Sequence, residues 1–170
     1  MTDDFSDDGG HWRYEFTQPG INEFTGYYPD GTVREQGTIL ISMVDILPSM
    51  PLPDGDPVTS QCFKPDGSLG SEVVDGTGVQ TIWLADGTKV WELHLKNSSR
   101  VHLRSWHDNG QLNFEYGFKD NHWHGPYVRY HRNGQLQTQG QYERSEKVGI
   151  WTYYDEQGIV ASTEDHGTPE

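Results

Sequence analysis

The side chains of this 170-residue chain that could do chemistry are eight histidines, one cysteine and 26 carboxylates. His122-Trp-His124 comes nearest to a metal site, because alternation along a strand puts both imidazoles on one face, where they could ligate zinc or copper. His102, His107 and His131 stand in other parts of the chain at no fixed offset, and no carboxylate sits at a recognised ligand spacing. The pair therefore reads as surface or hairpin-edge histidines, and neither metal nor cofactor is expected. Nucleophilic catalysis needs a Ser, Cys or Thr poised beside a base and an oxyanion site. No Gly-x-Ser-x-Gly elbow, phosphate-cradling loop or His-Glu-x-x-His occurs. Cys62 directly precedes Phe63, a place for a packed thiol. The chain reads as non-enzymatic, with no catalytic residue assigned; a histidine-based metal-dependent enzyme is the second alternative.

Charge narrows the partners. The chain carries 26 acidic and 12 basic side chains, a net charge of −14, and residues 1–80 hold 14 of the acids with three bases. Phosphate backbones and anionic headgroups attract Lys and Arg clusters, so neither nucleic acid nor an anionic membrane is an expected partner. The acidic excess is open to two readings, a solubilising surface or a docking surface for a basic protein. On the second reading the contact residues are Asp45, Asp54, Asp56, Asp66, Glu72 and Asp75.

What must position these groups is a repeat. A ring followed four residues later by Gly, with Asp, Asn or Gln before that Gly, recurs six times: Tyr27–Gly31, Phe63–Gly67, Trp83–Gly87, Trp106–Gly110, Tyr130–Gly134 and Tyr154–Gly158. The Gly-to-Gly spacings are 36, 20, 23, 24 and 24. Two positions after the Gly stands Val33, Leu69, Lys89, Leu112, Leu136 or Val160, aliphatic in five of six copies, and Gly78, Gly125 and Gly149 each lie nine residues before a turn Gly. Asp-Gly and Asn-Gly between β-prone runs predict type I′ hairpin turns, since these residues best tolerate φ > 0 at both central positions. About 24 residues hold two strands and two connections, and no 3.6-residue apolar stripe competes. The expectation is all-β: an elongated antiparallel sheet of about six stacked hairpins. The six rings should form its core, each covering the neighbouring unit, because a lone hairpin buries nothing.

The runs Asn109-Gly-Gln-Leu through Gly125-Pro-Tyr-Val-Arg-Tyr130, and Asn133-Gly-Gln-Leu through Gly149-Ile-Trp-Thr-Tyr-Tyr154, resemble MORN repeats, in the variant found in bacterial antitoxin components. The likeness is good over 76–161 and moderate over 22–42. It implies an immunity or antitoxin protein that neutralises a cognate protein toxin by blocking its basic active surface; a scaffold or membrane-associated MORN protein is the alternative. Outside the repeats, an acidic leader (1–10) and a tail (163–170) are expected to be mobile, flanking a single repeat domain over 11–162. A Pro-rich acidic loop is inserted at 43–57, because its four prolines bar regular pairing. The leader lacks the basic start and apolar run of a secretory signal, and no apolar stretch is long enough to span a membrane. A soluble, cytoplasmic protein is expected, and the single Cys62 excludes an internal disulfide.

Overall fold

The alternation of side chains and the spaced turn residues produce strands and nothing else. The computed structural model describes residues 2–3, 11–18, 21–40 and 57–168, which contain fourteen strands and no helix. These are β1 (Thr2–Asp3), β2 (His11–Gln18), β3 (Ile21–Tyr27), β4 (Val33–Leu40), β5 (Pro57–Phe63), β6 (Leu69–Val74) and β7 (Thr77–Trp83). They continue with β8 (Lys89–Lys96), β9 (Ser99–Trp106), β10 (Leu112–Lys119), β11 (His122–Tyr130), β12 (Leu136–Glu143), β13 (Glu146–Tyr154) and β14 (Val160–Asp165). Asp45, Asp54 and Asp56 lie outside the described residues. The boundary drawn at residue 162 falls inside β14.

The chain divides into two compact units, Met1–Thr88 with His94–Ser99, and Lys89–Leu93 with Arg100–Glu170. In the first, β1 to β7 pair antiparallel in chain order. In the second, β9 to β14 do the same. Among the described residues neither series closes into a barrel, so each is an open succession of hairpins, as the sequence predicts.

The turns differ from the expected type. At the six ring-to-Gly loops, the Gly N–H donates to the carbonyl three residues back, as from Gly31 to Tyr28 at 2.9 Å, while the Tyr28 N–H donates to Thr32 O at 2.8 Å. Only the Gly is left-handed, with φ between 78° and 89°; the Asp, Asn or Gln before it is not. This is the three-residue hairpin, a type I turn closed by a left-handed Gly. The Asp or Asn is favoured for another reason: its Oδ1 accepts the N–H of the residue after the Gly, from Thr32 to Asp30, Ser68 to Asp66, Thr88 to Asp86, Gln111 to Asn109 and Gln135 to Asn133. Two-residue turns with both φ positive occur at the opposite strand ends, at Asp75-Gly76, Asn97-Ser98, Asp120-Asn121 and Arg144-Ser145. Arg144-Ser145 carries no compositional signal for such a turn.

The core is also displaced from its expected place. Of the six repeated rings only Trp83 is buried; Tyr27, Phe63, Trp106, Tyr130 and Tyr154 are half-buried. Each is the last residue of its strand, at the loop end, and so has sheet on one side only. Other buried rings lie further in, Phe24 in the first unit and Trp91, Tyr116 and Trp151 in the second, while Tyr28, one residue past the end of β3, is buried as well.

Candidate interaction site in the first unit

Period-two alternation gives β3 to β6 two distinct faces. On one, Phe24, Gly37, Ser60 and Val73 face one another across the strands, beside the row Gly26, Glu35, Cys62 and Ser71. On the other, Thr25, Gln36, Gln61 and Glu72 form a row flanked by Glu23, Thr38 and Thr59. The first face is buried and the second open.

The open face is a shallow polar trough of about 440 Å³. Gln36 Nε2 donates to Gln61 Oε1 at 3.2 Å, and the Thr38 and Thr59 hydroxyls share a hydrogen bond of 2.9 Å, so the floor is held by cross-strand pairs. Its charged lining residues are Glu23 and Glu72, with no cation among them. Such a surface offers carboxylates and amides to a partner that brings donors and positive charge.

The other two described candidates lie at opposite ends of β6. Asp66, in the loop before it, is exposed, and its Oδ1 accepts both the hydroxyl and the N–H of Ser68, which hold the carboxyl below its usual range. Asp75 sits in the two-residue turn after it, exposed with φ 49°. Six residues of strand, about 20 Å, separate these ends. The structure thus strings Asp66, Glu72 and Asp75 along one strand without gathering them into a pocket.

Sequence reasoning missed Glu23, which only cross-strand register brings beside Thr38, and it missed Glu35. Glu35 is fully buried. Its Oε1 accepts the Ser60 hydroxyl and Gln80 Nε2, the latter at 2.7 Å, while Oε2 has no hydrogen-bond partner. Burial is the chief cause that pushes its carboxyl up from 4.5 to about 6, against the hydrogen bonds from Ser60 and Gln80. Cys62 Sγ lies 3.4 Å from Ser60 Oγ, and burial raises its thiol far above the usual range. A carboxylate, a hydroxyl and a thiol in contact have the composition of a nucleophilic site. All three are at most 1% exposed, however, so no substrate reaches them, and a thiol held protonated is not a nucleophile. They are a polar core.

Two of the histidines, His107 and His131, have structural work of a repeated kind, which corrects for this pair the reading that they follow no fixed offset. His107 and His131 each follow a repeated ring, and each places Nε2 2.9 Å from the carbonyl of the next ring residue, Tyr130 and Tyr154 respectively. A carbonyl only accepts, so Nε2 carries the proton. Tyr28, at the same repeat position, donates its hydroxyl to Phe63 O at 2.9 Å. The signal was a polar side chain one residue after the ring. Among the described residues no group of three or more His, Cys, Asp or Glu is placed to hold a metal.

Stacked open hairpins, joined ring to carbonyl from one copy to the next, define a β-hairpin repeat protein. Residues 123–144, which run from β11 through the following loop and β12, match the MORN repeat variant family. A MORN repeat is a non-catalytic module of the protein-binding or scaffold type. No curated protein matches the chain. Among the described residues no helix is long and apolar enough to cross a membrane.

Proposed function

We propose that the acid-rich first unit captures a basic protein, and that this partner is a bacterial toxin which the chain neutralises as an immunity or antitoxin protein by covering the toxin's basic active surface. The observation that carries this reading is the open trough of the first unit, whose floor is fixed by side-chain pairs and whose charges, Glu23 and Glu72, are both negative. A preformed floor lowers the ordering cost of association, and opposite charge accelerates encounter and disfavours acidic competitors. The match of residues 123–144 to a MORN repeat, a module of the protein-binding or scaffold type, agrees with a binding role.

The test pairs the chain with a basic protein encoded beside its gene. Neutralisation in cells and association kinetics at low and high salt are compared for the wild type and the Glu23→Gln/Glu72→Gln variant, which removes charge at nearly constant shape. Association with the wild type should slow as salt screens the attraction, with a Debye length of about 8 Å at physiological salt. The variant should associate more slowly, with a flatter salt dependence, while keeping its melting temperature. Equal neutralisation and equal association rates by the variant at both salt levels would overturn the proposal.

A further inference from the structure

β6 is bonded to its neighbours unequally. Along one edge it pairs with β5 from Phe63–Leu69 to Ser60–Val73. Along the other it pairs with β7 at Val73–Gly78 and Val74–Thr77, next to the turn. Beyond those two pairs β7 leaves the plane of the sheet. The Thr81 backbone N–H donates to Cys62 Sγ at 3.4 Å, and Gln80 Nε2 reaches Glu35 Oε1. A backbone donor of β7 thus sits over β5, past β6, which is impossible for strands side by side about 4.8 Å apart. Gln80, Thr81, Ile82 and Trp83 are all buried in consequence, and the Trp83 indole lies against Gly70.

β7 therefore covers the inner face of β6 and pairs with its outer edge only at Val73 and Val74, where Gly78 also lies against the Glu72 carbonyl. From Leu69 to Glu72 no strand is paired to that edge among the described residues, and Leu69, Gly70 and Glu72 are exposed, Leu69 by 50%. An edge of this kind presents backbone donors and acceptors to a further strand. Three exposed carboxylates accompany it, Asp66 before, Glu72 within and Asp75 after, against one exposed cation, Lys64.

We propose that the outer edge of β6, Leu69–Glu72, accepts an extended strand from a basic protein, joined by main-chain hydrogen bonds and selected by Asp66, Glu72 and Asp75. The inference rests on the capture of a basic partner proposed above and names the mode of contact. Main-chain bonds supply affinity in such an addition, and alternate side chains supply selectivity. A Lys or Arg of the incoming strand beside Glu72 meets its carboxylate on the open face, and basic residues toward the strand ends meet Asp66 and Asp75 in the flanking loop and turn.

The probe is an octapeptide of alternating Lys and Thr, compared with the same peptide N-methylated at alternate amides, which keeps every charge and removes the donors of one edge. Calorimetry gives affinity and amide hydrogen exchange gives location, both on the full chain. The unmodified peptide should bind and slow exchange within Leu69–Glu72. The N-methylated peptide should bind at least about tenfold more weakly, the loss expected for one or two hydrogen bonds. Equal binding of the two peptides, or protection confined to other strands, would overturn strand addition. The basic protein of the previous section supplies the second arm, with Asp66→Asn/Asp75→Asn in the chain, two positions outside the trough whose charge is removed at nearly constant shape. Weakened capture supports the edge. Full-strength capture by this variant overturns the edge and leaves the capture reading standing, whereas a wild-type chain that captures no basic protein removes both.

Discussion

The two units fill the space beneath similar hairpins differently: the first adds a buried polar cluster to its rings Phe24, Tyr28 and Trp83, and the second relies on rings. In the first, the buried face of β3 to β7 gathers Glu35, Ser60, Cys62 and Gln80 around one carboxylate. In the second, rings occupy the corresponding space: Tyr116 contacts Phe114, Phe118, Trp123 and Tyr127, and Trp151 contacts Tyr127 and Tyr142 with centroids 5.0–5.4 Å apart. The Lys147 ammonium closes this cluster, 4.5 Å from the Trp151 ring centroid. The difference teaches that the hairpin repeat prescribes turns and strand ends but not the filling. A ring core is insensitive to proton activity near neutrality, whereas a core built on a carboxyl with an unpartnered oxygen is not.

The largest expected effect lies in the ring core. Trp151 is 2% exposed and lies over Gly140, where a Cβ would come within 2.3 Å of the indole. Trp151→Ala should destabilise by about 3–5 kcal/mol, measured by denaturant unfolding, as for other buried large rings. A loss no greater than that of a half-buried ring such as Tyr130→Ala would show that the repeated rings, and not the inner ones, carry the core.

A smaller effect of opposite sign belongs to the polar core. Because the folded Glu35 carboxyl titrates near 6 and the unfolded one near 4.5, the native state holds more protons between these values, and stability falls as pH rises through them. The total is about 2 kcal/mol, present as a deficit above pH 6 and absent below 4.5. Glu35→Gln should remove the fall and stabilise the protein at pH 7, while matching the wild type near pH 4. The new amide also offers a donor to Gln80 Oε1, which has no partner. Parallel stability curves for variant and wild type from pH 4 to 8 would refute the linkage. Asp30, Asp66 and Asp86 act oppositely: hydrogen bonds from Thr32, Ser68 and Thr88 lower their pKa, so their contribution is lost only as pH falls below the ordinary carboxylate range.

The smallest effect separates the loops of the two units. Asn109 and Asn133 also donate Nδ2 to Arg132 O and Glu156 O, at 2.6 and 2.8 Å, linking each loop to the next copy. Aspartate has no such donor. Asn133→Asp should cost about 1 kcal/mol, whereas Asp66→Asn, which keeps its acceptor, should cost less than half of that, both followed by thermal unfolding. Equal losses at the two sites would deny the link between copies.

The strands, the positions of the six loops and the glycines that close them were legible in the sequence, because local sterics and short-range hydrogen bonds decide them: a left-handed residue favours Gly, and an acceptor two residues before an N–H favours Asp or Asn. The repeat that makes the chain a succession of hairpins is likewise written in residues 76–161. Tertiary structure alone decided which rings are buried, since a ring at a strand end and a ring one turn inward have the same local chemistry and differ only in what crosses over them. It also decided that Glu35 is a core residue, that Asp66 and Asp75 flank the strand that carries Glu72, and that β7 lies over β5. Each of these depends on where a strand passes after it leaves its hairpin, and a one-residue change of register or a fold out of the plane alters all of them while leaving every local preference satisfied.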